Sequence, residues 1–226
     1  AAMPMYNAPL LAIDTRETRR YAGLQKAHDF DDKKIHAACE DARLLTVPKG
    51  IWEIYDYDCE HQLIKSNPPV HLLGQKIGQH LAGCEKVVAL AATIGEDIED
   101  DVTRRFNDGE YSTAVLMDAA ATAAVEQVAD GMEKALAPKM AAQGLLMKWR
   151  FSPGYGDWPL EQQPELIRLA QAEKIGIHLS EALMLIPRKS ITAVSGLYRK
   201  QENMPSQHSP QGCAACAQKN CPSRKK

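Results

Sequence analysis

The run from Tyr111 to Leu136 constrains this chain's fold more than any other stretch. Ala114, Met117, Ala121, Val125, Val128, Met132 and Leu136 recur every three or four positions, which is the period of an α-helix. So much of the run is alanine that the helix must pack close against a flat surface such as a β-sheet. A strand for such a sheet follows from Lys86 to Gly95, which is almost wholly apolar and bounded by glycines. Gly95-Glu96-Asp97 then sets carboxylates in the first turn of a following helix, where they complement its positive end.

Shorter elements follow from the same rules. Asp14 to Gly23 predicts a short helix, with Asp14 or Thr15 at the cap and Gly23 at the stop. Asp31 to Leu45 predicts a second helix on Ile35, Ala38, Ala42 and Leu45. Ile51 to Leu63 alternates in part and predicts one or two short strands. Leu72 to Leu81 reads as a helix, Leu145 to Phe151 as a strand, Leu160 to Ala172 as a helix with Pro164 near its start, and Ile191 to Tyr198 as a strand. Helices alternating irregularly with a few strands predict an α+β fold: a single domain with a mixed or antiparallel sheet and several packed helices. That domain is assigned to residues 1–200. From residue 201 to 226 the composition turns to Gln, Asn, Ser, Pro and Lys, predicting a flexible tail unless a metal orders it.

Composition narrows the partners. With 226 residues, 45% of them hydrophobic, the chain can bury one substantial core. A net charge of -2 leaves no basic field to hold nucleic acid or an acidic membrane. No run reaches about 18 apolar residues and no charged-then-apolar leader opens the chain, so a cytoplasmic protein is expected.

The candidate site is Trp149-Arg150-Phe151-Ser152-Pro153-Gly154-Tyr155-Gly156-Asp157-Trp158-Pro159. Its proline fixes φ, its glycine lets a ligand approach the backbone, and Arg150 can hold a carboxylate through two parallel hydrogen bonds. Tyr155 offers a face to a cation or a flat ring. Read as residues alone, the segment is equally a surface turn whose aromatics cover the core. Asp157 and Trp158 either shape a pocket mouth or cap the next helix.

Arg150-Phe151-Ser152-Pro153-Gly154-Tyr155 resembles the Arg-x-x-Pro-Gly-Tyr signature of the S-adenosylmethionine-binding activation (reactivation) domain of cobalamin-dependent methionine synthase. The extension Gly156-Asp157-Trp158-Pro159 is similar to free-standing, single-domain members of that family. Further similar segments are Glu17 to Gly23, Ala91 to Gly95, Asp118-Ala119 to Glu126, and Met184 through Pro187 and Lys189-Ser190 to Gly196 and Tyr198. The resemblance implies that Arg150, Ser152, Pro153, Gly154 and Tyr155 hold the methionine part of S-adenosylmethionine. It places Glu126 and Tyr198 near the same ligand, although solvation of an exposed helix face is the simplest role for Glu126 and an ordinary strand rim suits Tyr198 equally well. Between Pro187 and Gly196 the chain is two residues longer than the large enzyme, and that enzyme's early ligand-binding aspartate has no counterpart here.

Cys213-x-x-Cys216-x-x-x-x-Cys221 is a separate signal, because cysteines two residues apart can grip one ion. Zinc or an iron-sulfur centre would suit three thiolates, with His208, Cys84 or Cys59 as the fourth ligand; a reduced, redox-active tail is the alternative. The scattered histidines lack ligand spacing, and Cys39 reads as a small buried residue.

The implied function is an activation subunit for reductive remethylation of cobalamin. Its methyl donor is S-adenosylmethionine, and the cobalamin is held by a partner methyltransferase protein. A reducing partner such as flavodoxin or ferredoxin supplies electrons. The rivals are a non-catalytic module or chaperone for a corrinoid protein and a redox protein acting through the tail cysteines. No catalytic residue is required of this chain, since positioning and electrostatics suffice where cofactors carry the bond changes.

Overall fold

The computed structural model describes residues 5–199. Its strands are β1 (Met5–Tyr6), β2 (Lys49–Asp58), β3 (Leu63–Ile64), β4 (Val70–His71), β5 (Lys86–Thr93), β6 (Leu145–Met147), β7 (His178–Leu179), β8 (Leu185–Ile186) and β9 (Ser190–Arg199). The helices are α1 (Thr15–Tyr21), α2 (Asp32–Leu45), α3 (Gln75–His80), α4 (Asp97–Asn107), α5 (Tyr111–Ala141) and α6 (Gln163–Ala170). One sheet runs in the order β4-β3-β2-β5-β9-β6 with β1 also on β2, and β7 and β8 pair separately. Every pairing is antiparallel, giving the expected α+β single domain.

The buried strand β5 lies at the centre, between β2 and β9. Its side chains alternate across the pleat. Val88, Leu90 and Ala92 meet the alanine-rich face of α5 with α1, α2 and α4 behind it; Val87, Ala89 and Ala91 meet α6 and α3. The alanines at 114, 120, 121, 124 and 129 are all fully buried, as a helix lying flat on a sheet requires.

Besides the helix expected from Leu72, which starts later at Gln75, three boundaries depart from the sequence reading. The long helix continues past Leu136 to Ala141, because Pro138 falls in its last turn, where a missing N–H costs one exposed hydrogen bond at most. The strand expected from Leu145 to Phe151 breaks after Met147. Met147 faces Leu197 and Phe151 faces Val194, so four steps on one strand oppose three on the other, and the extra residue is a bulge at 148–150. The helix expected from Leu160 to Ala172 is α6 between two short 3-10 turns, with Pro164 in its first turn.

Gly196 sits where β9 crosses the floor of the α6-side core. A Cβ there would lie 2.5 Å from Cys84 Sγ and 2.9 Å from Leu81 Cδ2. Gly196→Ala should therefore destabilise the fold by about 1–3 kcal/mol, read as a lower midpoint in urea unfolding with an unchanged slope.

Candidate functional site

The bulge decides where Arg150 goes. Lys148 still donates its N–H to Gly196 O at 2.8 Å and Phe151 exchanges both bonds with Val194, but Arg150 between them turns out of the ladder. Its backbone N–H donates instead to Glu133 Oε1 at 3.0 Å. Its guanidinium lies over α5: Nη2 donates to Glu126 Oε2 at 2.6 Å, and Nη1 to Asp130 Oδ1 at 2.7 Å and to Glu133 Oε2. Glu126, Asp130 and Glu133 are one helical turn apart and share a face.

These three carboxylates differ in setting. The side chains of Arg150 and Glu133 are 17% and 16% exposed, whereas those of Glu126 and Asp130 are 40% and 47% exposed. Burial works against the charge on Arg150, but the fields of Glu133, Glu126 and Asp130 prevail and raise its pKa above the ordinary arginine value. Burial also pushes the Glu133 carboxyl up, with Arg150 opposing it. Removing one member of so buried a pair costs about 3–5 kcal/mol.

Pairing stops soon after Phe151. Pro153 has no N–H to offer Thr192, and among the described residues no strand pairs with the outer edge of β9 at residues 190–193. That edge and α5 run side by side. Lys189 Nζ reaches Thr122 Oγ1 at 3.0 Å and Asp118 Oδ1 at 2.8 Å, and Ser195 Oγ donates to Glu133 Oε1 at 3.4 Å. Beside Asp118 and Thr122, at the Lys189 end of this channel between edge and helix, lies a recess of about 380 Å³, lined by Tyr21, Val102, Phe106, Val115, Asp118, Thr122 and Arg188 among others. Tyr21 links recess and cluster: burial and the negative field of Glu126 push its phenol up to about 12.

The turn after Arg150 is strapped to α3. Gly154 has φ +86 and donates to Trp158 O at 2.9 Å, while Tyr155 donates to Ser152 O at 3.3 Å. Trp158 is buried and donates its indole N–H to Gln162 at 2.7 Å. Asp157 caps an earlier helix, accepting from Gln75 and Lys76 at the start of α3 at 2.8 and 2.9 Å. Those bonds hold its carboxyl below the usual range. At the other end of α3, Lys148 Nζ donates to the carbonyls of His80 and Ala82 at 2.8 and 2.9 Å. Anion at the N-terminus and cation at the C-terminus both suit the helix dipole. Between them His80 packs on Trp149 and Phe151, with its Nε2 2.8 Å from Trp149 O.

Arg150 and Glu126 are thus brought together. Ser152, Pro153 and Gly154 follow at the end of the same channel, and Tyr155 is 67% exposed on the turn. Tyr198 packs instead with the core on the α6 side, its ring 5.7 Å from Lys148 Nζ, on the sheet face opposite Glu126. Sequence reasoning missed Asp130 and Glu133, although their spacing from Glu126 carried the signal. Cys213, Cys216, Cys221 and His208 lie outside the described residues. Of the two body cysteines weighed as a fourth ligand, Cys84 is buried, with its thiol pushed to about 11 by burial, and Cys59 is exposed. Among the described residues no group of three or more His, Cys, Asp or Glu side chains is placed to hold a metal ion, and no helix is long and apolar enough to cross a membrane.

No protein-family model matches the chain, and no curated protein matches it. Among solved structures it is similar to the MetH reactivation domain bound to AdoHcy, with a TM-score of 0.60 and 12% identity over 90% of this chain and 80% of that one. At that identity the likeness establishes the fold.

Burial lowers the pKa of His80 below its ordinary value of 6.5. The unfolded chain takes up a proton near pH 6.5 that the folded chain refuses. Stability carried by neutral His80 is therefore whole above that pH and is lost as pH falls through the folded pKa. The melting temperature should drop between about pH 7 and pH 5.5, and by less in His80→Gln. Parallel drops in both proteins would show that another group titrates.

Proposed function

We propose that the chain is an S-adenosylmethionine-binding activation subunit, supporting reductive remethylation of cobalamin in a cobalamin-dependent methionine synthase or related corrinoid methyltransferase. One observation carries the reading. The arginine that opens Arg-x-x-Pro-Gly-Tyr reaches into a channel between α5 and the free edge of β9, in a fold shared with an AdoHcy-bound domain.

The channel suits the chemistry of the ligand. The methionine end is a zwitterion: its carboxylate matches the Arg150 fork, and its ammonium matches Glu126 and Asp130. The nucleoside end fits the recess of about 380 Å³, which offers Tyr21, Phe106 and Val102 as apolar walls. Ser152, Pro153 and Gly154 close the methionine end, and Tyr155 faces outward where the corrinoid partner would dock. Tyr198, behind the sheet, takes no part in gripping the methionine end.

The electron from a flavodoxin- or ferredoxin-like donor would reduce the partner's cob(II)alamin, which would then accept the sulfonium methyl as a cation, the C–S bonding pair remaining on the sulfur of the neutral thioether. This chain's residues bind and orient the donor, and no proton transfer is required of them.

Arg150→Lys keeps the charge but loses the two-pronged contact. It should weaken S-adenosylmethionine binding at least about tenfold in calorimetry while leaving the far-ultraviolet spectrum unchanged. Arg150→Ala should abolish binding. Unchanged affinity in the lysine variant would sink the assignment.

For the tail, the proposal is a metal ion held by Cys213, Cys216 and Cys221, with exposed Cys59 as the body ligand and buried Cys84 excluded. Anaerobically purified protein should carry close to one zinc or an iron-sulfur chromophore, distinguished by the visible spectrum. Cys59→Ser should lower that content, and Cys84→Ser should not.

A further inference from the structure

The carboxylates around Arg150 outnumber what one guanidinium needs. Glu133 alone is its fixed counter-ion: it is as buried as Arg150, takes both a side-chain and a backbone N–H from it, and also receives Ser195 Oγ. That pair is neutral. Glu126 and Asp130 each touch one guanidinium nitrogen from the solvent side and are nearly half exposed.

Two neighbouring cations are already matched. Arg20, next to Tyr21, is paired with Glu17 at 2.6 Å, and Lys189 is paired with Asp118 at 2.8 Å. Lys134, one turn beyond Asp130, is exposed and makes no ion pair among the described residues. The cluster around Arg150 therefore carries two negative charges in excess, on half-exposed side chains, while Arg188 in the recess, unpaired in any salt bridge among the described residues, adds one positive charge at the far end.

On this basis we propose that Glu126 and Asp130 make the site select a sulfonium over the neutral thioether that methyl transfer leaves behind. The inference rests on the methyl-donor reading above. Donor and product carry the same carboxylate, ammonium and nucleoside; they differ by one methyl group and one unit of positive charge. The carboxylate of either ligand displaces Glu126 and Asp130 from Arg150. The two displaced side chains then face the ammonium and the sulfur, and only the donor has a charge at sulfur to meet them. After transfer that attraction is gone, and the product leaves a site that still holds the arginine in place.

Coulomb attraction between one ligand charge and two half-exposed carboxylates corresponds to a preference on the order of tenfold at low ionic strength. It should shrink as salt screens the site. Asp130 is the informative position, because it lies outside the Arg-x-x-Pro-Gly-Tyr segment and a merely structural role would affect both ligands alike.

The test is calorimetry of the full chain with S-adenosylmethionine, S-adenosylhomocysteine and an analogue bearing a protonated amine in place of the methylsulfonium, at low and high salt. The wild type should bind the two cationic ligands about tenfold more tightly than the thioether at low salt. Asp130→Asn and Glu126→Gln should each weaken all three ligands through the shared ammonium but the cationic two more, cutting the preference about threefold. Equal affinities in the wild type, or a preference unchanged by salt and in both variants, would overturn the selectivity and leave the binding site standing. Failure of all three ligands to bind would overturn the methyl-donor reading, and this inference with it.

Discussion

A guanidinium withdrawn from water must be matched where it stands, and in this protein the meeting of Arg150 with Glu133 fixes the arrangement of everything around it. Matching it required the chain to leave the sheet. The bulge after Met147 removes the Arg150 N–H from the ladder and delivers it to the same carboxylate that takes the side chain. Pairing recovers for one residue at Phe151, and Pro153 then ends it, so the outer edge of β9 is bare just beyond the arginine. The bulge places the ion pair, and the proline opens the edge beside it.

The strap on α3 holds the segment from outside. Lys148 at one end of the helix and Asp157 at the other bracket it, and His80, Trp149, Phe151 and Trp158 fill the space between. A turn rich in glycine would otherwise be loose. Here its two ends are tied to a separate element by hydrogen bonds made within the chain itself. Pre-ordering of that kind lowers the entropy that binding has to overcome.

Fold class was legible because it rests on periodicity, and the α5 and β5 patterns are long and strongly biased. The bulge was not. From Leu145 to Phe151 the sequence is a fair strand, and only the competing demand of Glu133, remote in sequence, breaks it. The same limit governed the site. Arg150 and Glu126 were reachable through a motif, but its spacing says nothing of which carboxylates lie across from an arginine. Asp130 and Glu133 were visible as a row with Glu126 on one helix face, yet a row of acids next to a buried stripe is also how an ordinary solvated face looks. Asp157 illustrates the converse: its capping chemistry was legible, while its partner was α3, far upstream, and not the helix that follows it.

The alanines of α5 connect these two levels. Packing on β5 with so small a face brings the helix axis close to the sheet, which lets the short reach of a glutamate and an aspartate meet an arginine rising from the sheet edge. Bulkier side chains at the same positions would lift the helix and open those bonds, even with every charged residue retained. The electrostatics of the channel are therefore inherited from the hydrophobic core. The alanine pattern that predicts a helix against a sheet also sets the distance at which Glu133 holds Arg150 and Glu126 and Asp130 touch it from the solvent side.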